Sequence, residues 1–349
     1  MRWYEWIILL LVFFKVATAF FVLLTNPVID SDAANPLRWV GLSKVIMSSG
    51  ILLDGFYYED RLSPSLLSVW AHCGISQWRD NLVGLPWFFT YLSLIGISFV
   101  TCCKVQGSRL VSFVAAYLCS ALPLAVIHVI RPGYADLLIA YFLLSSVAWV
   151  TLFLGRDQRQ ITYLIFALMG VAGCVLTKKE GLFWGAWIMF VIFSYYLNHF
   201  RGVPWKRILG IQAVLLALAF VFYLLSADWI RTHFKLDNRW QCLFTRQFEP
   251  KAIGVFWEFA LGMGTFNLWW WCSLIMAAFL WVKKTPPEVK VFAFYLVLLF
   301  FGLFYFSCFT GNVAMTLKGT NVGRFLLQIS GLGFPLYVFF MRDLALLER

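Results

Sequence analysis

Charge is scarce in this sequence: Asp, Glu, Lys and Arg make up 13% of its 349 residues, against 62% hydrophobic. That shortage excludes an ordinary soluble enzyme, in which about a quarter of the residues are charged. Histidine is rarer still. His72, His128, His199 and His233 are scattered along the chain, so no His-based metal cage is expected. No internal repeat relates the two halves, and apart from Lys15 the long apolar runs lack ionisable groups near their centres. Both absences argue against a transporter with a midplane binding site. With no stretch for a soluble basic domain, no nucleic-acid partner is expected either.

What the sequence has is apolar length. Runs able to cross about 30 Å of hydrocarbon as helices of about 17–25 residues fall at 3–24, 84–103, 110–130, 137–154, 161–176, 182–198, 208–226, 266–282, 289–309 and 325–341. The expected fold is all-α, a polytopic integral membrane protein with about ten transmembrane helices in a single domain over residues 1–349.

Two segments interrupt the pattern of tight turns. In the first, 25–83, Leu37, Val40, Gly41, Lys44, Val45 and Met47 recur at helical spacing behind Asp30 and Asp32, which predicts a helix lying on the membrane surface. Ser63-Pro64-Ser65 then starts a second helix toward Trp70. The second segment, 227–265, mixes Asp228, Arg231, Arg239 and Arg246 with Trp229, Trp240 and Trp257, as suits a loop resting at the interface above a cavity.

Orientation follows from the basic residues of short loops, which stay cytoplasmic. With the N-terminus inside, those loops carry Arg2, Lys104, Arg109, Arg156, Lys206, Arg207, Lys283 and Lys284. The opposite face is basic too, with Arg131, Lys178, Lys179, Arg231, Lys251 and Arg324. Recognition of phosphate on a lipid carrier explains this departure from the rule, because guanidinium and ammonium groups bind phosphoryl oxygens through charge-assisted hydrogen bonds. Contact with anionic headgroups is the alternative. Asp30-Ser31-Asp32, Arg131-Pro132-Gly133-Tyr134-Ala135-Asp136 and Thr177-Lys178-Lys179-Glu180-Gly181 all fall on that face. Charges converging beside a bilayer mark a functional site.

The remaining features leave alternatives open. Cys73 and Cys242 fall in outer loops, where pairing stays open, while the other six cysteines lie in or near spans. Trp269-Trp270-Trp271 reads either as part of an apolar groove for a lipid tail or as interfacial anchors. Lys15 is expected to pair with Glu5 or to snorkel.

The sequence resembles the GT-C class of membrane glycosyltransferases, in the branch of protein O-mannosyltransferases and lipid A aminoarabinose transferases. The resemblance rests on Asp30-Ser31-Asp32-Ala33 with Trp39 and Lys44, on Leu62-Ser63-Pro64-Ser65-Leu66-Leu67, on Gly133-Tyr134-Ala135-Asp136, on Thr177-Lys178-Lys179-Glu180-Gly181, and on Gly323-Arg324-Phe325 before Pro335. It covers most of residues 1–200 and the last stretch; 205–310 matches in hydropathy only, and the Tyr-Pro core of the family's first loop is missing.

The resemblance implies transfer of a sugar from a polyprenyl-phosphate donor to a hydroxyl of a glycan, lipid or protein, on the periplasmic face of a bacterial inner membrane. Such a displacement needs a carboxylate to deprotonate the acceptor and fixed cations to stabilise the departing phosphate. Asp32 is the first choice for the base and Asp30 the second. Lys178, Arg131 and Arg324 are the phosphate-binding candidates, with Lys179 as alternate. Asp136, Glu180, Tyr134 and Glu59 are the supporting or substrate-binding residues, with Asp136 and Glu180 either holding those cations in place or contacting sugar hydroxyls. No cofactor is required by this chemistry, and a divalent metal beside the acidic pair stays open. The competing readings are a lipid-linked sugar flippase and an O-antigen ligase or polymerase.

Overall fold

The computed structural model describes residues 2–25, 34–50, 63–75, 77–106, 108–130, 134–155, 160–233, 242, 245–262, 266–282, 287–318 and 322–347. Among them every regular element is helical, and the only ladder contact is a lone bridge between Arg246 and Thr310. A chain this apolar has little choice, because a segment in hydrocarbon must satisfy its backbone polar groups internally.

The first helices in chain order are α1 (Trp3–Thr25), α2 (Ala34–Ser49), α3 (Ser63–Ala71), α4 (Leu85–Gln106), α5 (Arg109–Ser120), α6 (Pro123–Ile130), α7 (Asp136–Gly155), α8 (Ile161–Thr177), α9 (Lys179–Arg201) and α10 (Trp205–His233). Five helices among the described residues are long and apolar enough to cross a membrane: α1, α4, α7, α9 and Pro287–Phe309. A sixth forms if Val322–Ser330 and Phe334–Phe340, bent by 47°, act as one span. Shorter apolar helices at Arg109–Ser120, Ile161–Thr177 and Trp269–Leu280 fill out the pattern. The run expected as one span at 110–130 is divided between α5 and α6. Pro123 has no N–H to donate back along a helix, so it opens a new one instead of continuing the old. Ser108 caps α5, its hydroxyl accepting from the Val111 amide at 3.5 Å.

Contacts cluster into two units, Met1–Met189 with Leu327–Arg349, and Phe190–Leu326. At the centre of the first lies α7, with 78% of its apolar window buried. It packs most extensively on α8. The approach is close because Gly170 faces α7: a Cβ there would sit 2.3 Å from the Ser146 hydroxyl and 2.8 Å from the Phe142 carbonyl oxygen. Ser146 bridges the pair, donating to the Ala167 carbonyl at 2.9 Å and to its own helix at Phe142.

The described residues between α1 and α4 belong to the same unit. Ser43 on α2 donates to the Ser65 carbonyl on α3 at 3.0 Å, and Lys44 pairs with Asp80 at 3.0 Å. Trp78 donates to Asp80 and stacks on His72 at 4.1 Å. Partial burial opposes ionisation of Asp80, but the hydrogen bonds from Trp78 and Lys44 outweigh it and hold the carboxyl below its ordinary range.

In the second unit, polar and aromatic side chains tie α9, α10 and Pro287–Phe309 together. Tyr295 donates to Gln212, which donates to Ser194 at 2.6 Å. Phe300 meets Phe256 and Trp270 with ring centroids 5.6 and 5.3 Å apart. Cys73 and Cys242 are both free thiols.

Candidate active site

The first unit brings a polar cluster together around one carboxylate. Asp136 is the first residue of α7 and fully buried. A carboxylate at a helix N-terminus is favoured by the unpaired amides and dipole there, but burial still demands partners. It has several. Lys178 Nζ lies 3.5 Å from Oδ1, His128 Nε2 lies 3.6 Å from Oδ2, and the Gln328 amide donates to Oδ1. Gln328 is itself held, its carbonyl oxygen accepting from the Trp184 indole.

The chain reaches this arrangement through simple geometry. α7 and α8 form an antiparallel hairpin, so the start of one and the end of the other share one end of the bundle. α8 stops at Thr177, Lys178 takes an extended conformation with φ −160° and ψ 159°, and α9 begins at Lys179. The break turns Lys178 inward, to 6% exposure, between Asp136 and Glu180, whose carboxylate it meets at 3.1 Å. Glu180 occupies the first turn of α9, where the helix dipole again suits a negative charge.

Gly181 completes the motif for a steric reason. A Cβ at this position would stand 1.9 Å from the Cys174 carbonyl oxygen, which is backbone and cannot rotate away. Gly181→Ala is therefore expected to cost about 1–3 kcal/mol in stability. Gly254→Ala, whose Cβ meets nothing within 4 Å, should not lower it. Thermal unfolding of both variants in one detergent checks the pair.

Tyr134 stands beside the cluster, its ring edge-on to His128 at 5.3 Å, while its carbonyl accepts from Trp87 at 2.7 Å. Of the expected site residues, Asp136, Lys178, Glu180 and Tyr134 thus come together. Arg324 is half-buried on Val322–Ser330 in the second unit. Asp30, Asp32, Glu59 and Arg131 lie outside the described residues, as does the side chain of Lys179. Among the described residues no group of three His, Cys, Asp or Glu side chains is placed to hold a metal ion.

Sequence reasoning missed His128, Gln328 and Trp184. His128 does carry a local signal, three residues ahead of Arg131. Gln328 is a lone amide in an otherwise apolar stretch, Phe325-Leu326-Leu327-Gln328-Ile329. An uncharged polar group in such a place is a partner for something buried.

The chain has the fold of a solved helical membrane protein. The particular match is to ArnT from Cupriavidus metallidurans. Its crystal structure bound to undecaprenyl phosphate superposes with a TM-score of 0.62 at 15% identity, covering 97% of this chain and 60% of that one. The apo-state structure gives 0.55 at 16% identity, covering 94% and 59%. The chain therefore spans about 60% of the length of the ArnT chains it matches. No protein-family model matches the sequence, nor does any curated protein.

Proposed function

We propose that the protein is a glycosyltransferase that moves a sugar from a polyprenyl-phosphate donor to a hydroxyl of a glycan, lipid or protein, at the periplasmic face of a bacterial inner membrane. The observation that carries the reading is a backbone likeness over nearly the whole chain to a structure bound to undecaprenyl phosphate, joined to a buried ionic cluster at the motif positions.

In the proposed reaction the acceptor oxygen bonds to the anomeric carbon as its proton passes to the Asp32 carboxylate. The bond from that carbon to the phosphate oxygen breaks on the opposite face, and polyprenyl phosphate leaves with the electron pair. Asp30 is the alternate base. Lys178, Arg131 and Arg324 stabilise the charge growing on phosphate, with Lys179 as alternate for Lys178. Asp136 and Glu180 hold these cations in place, and Tyr134 and Glu59 are proposed to support or bind the substrate.

The geometry sharpens the role of Lys178. It is buried between Asp136 and Glu180, so it acts as a preorganised charge whose position is fixed before the donor arrives. Replacing Lys178 or Arg131 by Ala should cost transfer or donor binding on the order of 2–4 kcal/mol. Lys251→Ala, at an exposed side chain of the second unit, should do little. The check is turnover and undecaprenyl phosphate binding of the three variants in one lipid composition. Equal losses across the set would assign the basic face to headgroups instead.

A further inference from the structure

Lys15 is a charge without an evident reason inside α1. That helix is the most apolar of the five spans and the least covered, with 11% of its window buried against 39% or more for the others. Lys15 itself is exposed, and so are Leu11 and Thr18 on the turns before and after it. Twelve residues separate it from Trp3 and ten from Thr25. At about 1.5 Å per residue, it lies about 18 and 15 Å from the two ends, close to the middle of about 30 Å of hydrocarbon.

The two expected fates of Lys15 both fail on distance. Glu5 is ten residues away, about 15 Å along the helix, and its carboxylate accepts from the Arg2 amide at 2.7 Å. A four-carbon stem moves the ammonium only about 6 Å, which leaves it well short of either interface and of any headgroup phosphate. Among the described residues Lys15 makes no hydrogen bond or ion pair. An ammonium at such depth is expensive unless something of opposite charge meets it there.

We propose that this face of α1 docks a transmembrane helix of a partner protein that carries a carboxylate, Asp or Glu, at its own midplane. Only a helix can present one side chain at that depth from the lipid side without leaving backbone groups unsatisfied. Charge complementarity selects an acid. On the same face, Leu11 at 44% exposure one turn before Lys15 and the exposed Thr18 one turn after it supply the surface along which such a helix packs.

The test uses the full chain in vesicles of phosphatidylcholine and phosphatidylglycerol, with synthetic Leu-rich transmembrane peptides as probes. Energy transfer between labelled protein and labelled peptide reports association. A peptide with a central Glu should associate about tenfold more tightly than the same peptide with Leu, the scale of a single polar contact between helices in lipid. Lys15→Leu, which removes a charge and no observed contact, should erase that preference. Lys15→Glu should reverse it, favouring a peptide with central Lys. Equal association of the Glu and Leu peptides with the native chain, or a preference that survives in Lys15→Leu, overturns the proposal. So does a Lys15 effect that tracks phosphatidylglycerol content alone, since that assigns the side chain to lipid.

Discussion

Asp32→Asn is expected to slow sugar transfer by about 10²–10⁴-fold, with membrane insertion and donor binding preserved. Asp32 stands two residues before Ala34, where α2 begins, so its bland role would be to cap that helix. The amide substitution separates the two roles. Asn caps a helix about as well as Asp, and it matches the carboxylate in size, but it cannot take a proton from an acceptor hydroxyl. A cap predicts no loss; a base predicts a large one. Single-turnover transfer from a synthetic polyprenyl-phosphate sugar, with undecaprenyl phosphate binding measured on the same sample, reads both. Turnover near that of the native chain would move the base to Asp30 or Glu59.

The clusters were legible because charge interrupts apolar runs so rarely here. Asp136 does open a span, and Lys178 does sit where one helix stops and the next starts. Their company was not legible. Gln328 meets Asp136 across 192 positions of sequence, and that meeting depends on the chain returning to the first unit at Leu327. No local pattern encodes it. His128 looks isolated because ligand spacing is a sequence criterion, whereas the fold places its ring against Asp136 at the start of α7. Lys178 reads in the sequence as a phosphate-binding cation held by Asp136 and Glu180; its burial between the two is a tertiary fact.

The span count shows a similar limit. Hydropathy sums composition along a window and does not register a bend. Pro123 is visible in the sequence and explains why 110–130 is divided, but the 47° bend between Val322–Ser330 and Phe334–Phe340 follows a Gly-Leu-Gly turn inside a run that hydropathy reads as continuous. There the short 3₁₀ turn Gly331–Gly333 packs against α7. A Cβ on Gly331 would stand 2.9 Å from the Leu144 Cα, so close packing and the bend have one cause.

Replacing Asp136 by Leu is expected to lower stability by about 3–5 kcal/mol, the usual cost of removing one side of a buried ion pair. The size of the loss comes from what remains. Among the described residues Lys178 then keeps only Glu180, which is 31% exposed and shares its charge with water. His128 loses the carboxylate 3.6 Å away, and the Gln328 amide loses its acceptor. Asp136→Asn should cost less, because its carbonyl can still accept from Gln328 while the charge facing Lys178 is gone. The decisive variant is the pair Asp136→Leu with Lys178→Met. Removing both charges relieves the uncompensated ammonium, so the double variant should recover much of the lost stability, a coupling visible only in the full mutant cycle. Unfolding in a single detergent gives all four corners. A single variant that loses under about 1 kcal/mol, or a double variant no more stable than Asp136→Leu alone, would show that the cluster does not bind the start of α7 to the break before α9.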